Sequence, residues 1–124
     1  MDISHLLHEF AAYDLWANTR LVDRLLREPE ELLDEPAKSS FASIRATLMH
    51  IRNAHAVWLA RITGTTPRWP AADTEALATF LPHVLALHDH VKGLMTADLL
   101  GKVNYTDLKG NAYVQPRAQL LMHC

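Results

Sequence analysis

Apolar residues recur at steps of three and four along most of the chain, and this spacing predicts three long helices. The first starts from a cap at Asp2 or Ser4 and runs to about Arg27. It carries Ile3, Leu7, Phe10, Ala17, Leu21 and Leu25 on one face. "REPEELLDEP" then breaks the pattern with Pro29 and Pro36, a loop with room for one short turn. Ser39 or Ser40 caps a second helix, which ends at Gly64 and presents Ile44, Leu48, Ile51, Trp58 and Ile62 to the core. After "TTPRWPAAD", with Asp73 or Thr74 as cap, a third helix carries Leu77, Leu81, Val84, His88, Val91 and Met95. Pro82 inside it marks a kink or a restart, because proline removes a backbone donor.

Beyond Ala97 the period changes. "KVNYTDLKGNAYVQP" holds two β-prone runs around Lys109-Gly110-Asn111, which predicts a small hairpin from Val103 to Gln115. Pro116 then opens a fourth helical pattern, "RAQLLMHC", only about two turns long. The fold class expected is all-α: an antiparallel four-helix bundle with a β-hairpin near residues 103–115 and a fourth helix only partly present. The expectation is one helical domain over residues 1–124 that continues beyond Cys124.

Composition narrows the function classes. The chain is 49% hydrophobic and 21% charged, with net charge −2 and no basic stripe, which argues against a nucleic-acid partner. No apolar run approaches the ~18 residues of a membrane span. "MDISHLLHEF" lacks the pattern of a secretory leader, and Cys124 has no second cysteine to pair with, so a cytoplasmic location is expected. Eight histidines raise the question of a metal.

Two of them, His50 and His55, lie in "SIRATLMHIRNAHAVWLARITG". At ~100° per residue, His55 falls inside the core face and reads as packing, satisfied by one hydrogen bond. His50 lies on a flank with Ser43, Ala46, Thr47, Ala54 and Val57, and Arg61 follows on the same flank. Periodicity leaves His50 open between a ligand and a structural residue. The opposite side, with Arg45, Arg52 and Asn53, is expected to be wet. On the first helix, Asp14 occupies the core line between Phe10 and Ala17, where a buried carboxylate needs a partner. Asn18 stands one turn on. Trp16 points away from that line, which leaves room for a loop, for further chain or for a homodimer partner. No two histidines stand at the i,i+4 spacing of a helical metal pair.

"YDLWANTRLV", the His50–His55 segment and "LLMHC" together resemble the DinB/YfiT-like superfamily of bacterial metal-binding helical bundles. The resemblance implies a four-helix bundle with a divalent metal, Zn or Ni, on three histidines. His50 matches the first ligand. The other two form an HxxxH pair that would begin about one turn beyond His123. An open coordination position would activate water or a low-molecular-weight thiol. The implied activity is thus a metal-dependent transferase, of the thiol S-transferase kind, or a hydrolase acting on a small-molecule substrate. Asp14 and Arg61 are the pocket candidates, Asp14 to orient a ligand and Arg61 to meet a cofactor carboxylate. The alternative is a non-catalytic helical module that sequesters metal or binds a protein.

Overall fold

The computed structural model describes residues 2–66 and 76–124. The cap expected at Asp73 or Thr74 lies outside them. Helix α1 spans Ile3–Leu26 and starts where the Asp2 carboxylate accepts the His5 amide at 3.0 Å. Leu7, Val22 and Leu25 are its buried residues. Phe10 and Leu21, expected in the core, are exposed. The stripe that meets the core runs through Leu7, Ala11, Leu15, Val22 and Leu25, so Phe10 and Leu21 fall on its flank.

A 3₁₀ turn over Glu30–Asp34 fills the expected loop. It buries Leu33 in one cluster with Leu48 and is tied down by Arg45, which donates to both oxygens of Asp34 at 2.8 and 3.1 Å. Helix α2, Ile44–Thr63, is capped by Ser43, later than the expected Ser39 or Ser40. The Ser43 hydroxyl accepts the Ala46 amide, whereas Ser39 donates to the Phe41 carbonyl within the preceding loop. Gly64 closes the helix with φ +78°, a left-handed value that favours glycine.

The side of α2 expected to be wet is not. Arg52 and Asn53 are both buried, because helix α3, Ala76–Lys92, packs against α2 there. The Arg52 guanidinium donates to Thr79 Oγ1 at 2.7 Å and to Asn53 Oδ1 at 3.1 Å, so its charge is desolvated but hydrogen-bonded. Phe80, Val84, Leu87 and Val91 carry the core side of α3, and Pro82 lies inside the helix. The periodic pattern ran on to Met95, yet α3 stops before Gly93, a poor helix former. A separate short helix, α4, covers Thr96–Leu100, with the Asp98 carboxylate accepting the Met95 amide at 2.9 Å.

The predicted hairpin is present. β1, Lys102–Thr106, pairs antiparallel with β2, Ala112–Pro116, with Tyr105 opposite Tyr113. Asp107 organises the turn by accepting the amides of Lys109 and Asn111, and Gly110 takes φ +88°. Helix α5, Arg117–His123, follows directly after Pro116 and packs on both α1 and α2.

Two apolar clusters fix the helix directions. One joins Leu7, Ile62, Leu87, Val91 and α5; the other joins Val22, Leu25, Leu48, Phe80 and Val84. The start of α1 therefore lies beside the ends of α2 and α3. α1 runs opposite to both, and α2 and α3 share a direction, which departs from an antiparallel arrangement throughout. No helix among the described residues is long and apolar enough to cross a membrane.

Candidate functional site

The two polar anomalies of the core lines meet. His55 is buried on α2, and its Nδ1 donates to the Ile51 carbonyl at 2.8 Å. That bond fixes the Nδ1 proton, because a carbonyl can only accept. Nε2 then faces Asp14 Oδ2 on α1 at 3.4 Å. Asn18 donates from Nδ2 to the other Asp14 oxygen at 3.0 Å. Burial works most strongly against charge on His55. The Asp14 hydrogen bond, the Ile51 carbonyl and the negative charge of Asp14 together outweigh it, and the imidazole pKa is raised above its ordinary 6.5.

Asp14 also forms part of the wall of a cavity of about 270 Å³ bounded by α1, α3 and α5. Most of the lining is apolar, including Leu7, Ala11, Leu87, Val91 and Leu121. The polar side chains on it are those of Tyr13, Asp14, His88 and Cys124. The Asp14 side chain is 36% exposed, so one edge of a fixed carboxylate stays open to the cavity. Burial, reinforced by the Asp14 charge, pushes the Cys124 thiol up to about 12. It is neutral at physiological pH and is not a poised nucleophile.

His50 lies elsewhere. It is exposed and stacks on Phe41, with ring centroids 4.5 Å apart. Arg61 does not line the cavity. It is buried over the rings of Trp58 and Tyr105, at 4.6 and 5.4 Å, and its Nε has no hydrogen-bond partner among the described residues. Of the three site residues picked from sequence, the structure brings Asp14 to a cavity and leaves His50 and Arg61 apart from it. Sequence reasoning missed the pairing of His55 with Asp14 and the part of Cys124 in the wall. The one signal available was a carboxylate on an apolar line.

The sequence model of the DinB family matches residues 1–124, and the chain belongs to that family. No curated protein and no solved structure matches it. Among the described residues no three His, Cys, Asp or Glu side chains converge as a metal site. The described residues therefore do not fit a three-ligand metal centre by themselves.

Proposed function

We propose that this DinB-family protein binds a small, mostly apolar molecule in the cavity between α1, α3 and α5. Its Asp14 carboxylate takes a cationic or hydrogen-bond-donating group of that molecule. The carrying observation is a carboxylate pinned by Asn18 and His55 at the wall of a mostly apolar cavity. Apolar walls supply affinity without direction, and one fixed charge supplies orientation. Asp14 is the group that touches the ligand. His55 positions it, and the pair can exchange a proton with a donor held there.

The test is an NMR titration of the whole chain with benzylamine, benzyl alcohol and benzoate. Benzylamine is expected to bind most tightly and benzoate least, and Asp14→Asn is expected to abolish that order while circular dichroism stays unchanged. Equal binding of the amine and the acid, or binding of none of the three, overturns the reading.

A second reading rests on family membership: a metal-dependent S-transferase or hydrolase, or a metal-sequestering module, with His50 as one ligand to Zn or Ni. It requires two further ligands from outside the described residues.

A further inference from the structure

Two aromatic side chains stand on the solvent side of α1. Tyr13 is 64% exposed and Trp16 is 56% exposed, with the rings 5.7 Å apart. At ~100° per residue, Asp2, Glu9, Tyr13, Trp16, Arg20 and Arg27 fall within a band of roughly 60°, opposite the buried Leu7, Val22 and Leu25. All six are exposed. The band is ordered by charge: acidic at the helix start, aromatic in the middle, basic at the end.

We infer that this face of α1 is the contact surface for a second copy of the chain, with the two α1 helices antiparallel about a two-fold axis between Tyr13 and Trp16. In that register Glu9 meets Arg20 of the partner subunit, and Asp2 meets the partner's Arg27. Tyr13 meets the partner's Trp16. Each of these contacts occurs twice, as an isologous interface requires. On the flank of the band, His5 comes opposite the partner's Asp23. A parallel pairing would set Glu9 against Glu9 and Arg20 against Arg20, which like-charge repulsion disfavours. A polyanion or an anionic membrane would be repelled by the acidic half. A second copy satisfies both ends at once.

Arg20 already lies over the Trp16 ring at 5.2 Å. This holds the guanidinium above the aromatic centre, where the partner's Glu9 would reach it. A contact between two 24-residue helices is ~36 Å long and lies at the small end of specific interfaces. Association is accordingly expected to be weak and dependent on salt.

The experiment is sedimentation equilibrium of the whole chain up to roughly 1 mM, where even a Kd near 10⁻⁴ M gives mostly dimer. The wild type is expected to dimerise, and added salt to weaken it. Glu9→Lys and Arg20→Glu are each expected to weaken association at least roughly tenfold, since each sets two like-charge pairs across the axis. An equimolar mixture of the two variants restores opposite charges at both contacts and is expected to recover the dimer. Both positions are exposed, and circular dichroism checks that the fold is kept. Trp16→Ser provides an independent variant, also expected to lose the dimer. A wild type that stays monomeric, single variants that associate like the wild type, or a mixture that stays monomeric overturns the inference.

Discussion

His55 Nε2 on α2 lies 3.4 Å from Asp14 Oδ2 on α1, and the pair links two helices that both pack on α3. The imidazole is buried and hydrogen-bonded through its other nitrogen, so its charged form has an acceptor on each side. The carboxylate is shared with Asn18 and open to the cavity. A structural ion pair and a ligand-facing acid thus use the same carboxylate.

The pair gives stability a definite pH dependence. The folded pKa of His55 is raised above its ordinary 6.5, so the folded state binds the proton more tightly than the unfolded one. The resulting stabilisation is complete below about pH 6.5 and is lost as pH rises through the folded pKa. Asp14→Asn is expected to cost about 1–3 kcal/mol in mild acid and less at about pH 9. His90, whose pKa is lowered by burial and then by Arg117, contributes the opposite slope, so the comparison is with wild type at each pH. The nearby Cys124 thiol stays neutral across this window. Thermal melts showing a penalty for Asp14→Asn that grows with pH would contradict the assignment.

Leu48 lies at the heart of the cluster formed by Val22, Leu25, Leu33, Phe80 and Val84, and is 2% exposed. Leu48→Ala is expected to cost about 3 kcal/mol, within the ~2–5 kcal/mol of large core truncations. Phe10→Ala removes an exposed ring and is expected to change stability by about 0.5 kcal/mol or less. Urea melts on the two variants measure the contrast; similar midpoints would mean that the core face of α1 is wrongly drawn.

How much of this was legible in sequence depends on whether the signal is local. The hairpin could be read because Asp107 and Gly110 carry their turn within a few residues. The buried place of His55 followed from helical spacing alone. Arg52 and Asn53 misled, because a helical wheel ranks sides by apolar content, and here α3 covers a polar side whose hydrogen bonds come from Thr79 and from the pair itself. Asp14 and His55 each stood out, but their meeting depends on how two helices, separated by a loop, are rotated about their axes. Arg61 lay on the same flank as His50 in sequence, and the rings of Trp58 and Tyr105 hold it away from the cavity.

The turn makes a sharper test of local chemistry. Hydrogen bonds from the Asn111 side chain and amide, then from the Lys109 amide and Tyr113 hydroxyl, hold the Asp107 carboxyl at about 2, against 3.8 ordinarily. Its contribution to stability is present above the ordinary value and is lost as pH falls through the lower one. A carboxyl-carbon NMR titration should place the midpoint near 2, and Asn111→Ala should move it upward. An Asp107 titration at the ordinary carboxylate value would mean that the turn does not hold in solution.

The last prediction separates the two histidines of α2. His50 is exposed and stacks on Phe41 at the surface, so His50→Ala is expected to cost about 1 kcal/mol or less. His55 is buried and paired, and His55→Ala is expected to cost about 1–3 kcal/mol through lost packing and the loss of the cross-helix bond to Asp14. Since no three donor side chains converge among the described residues, calorimetric titration of Zn²⁺ or Ni²⁺ into this 124-residue chain should show no tight one-to-one binding. Tight binding lost in His50→Ala would show that residues beyond those described complete a site around it. Tight binding lost only in His55→Ala would move the ligand role onto the Asp14 pair, and the carboxylate would then serve a metal instead of a small-molecule donor.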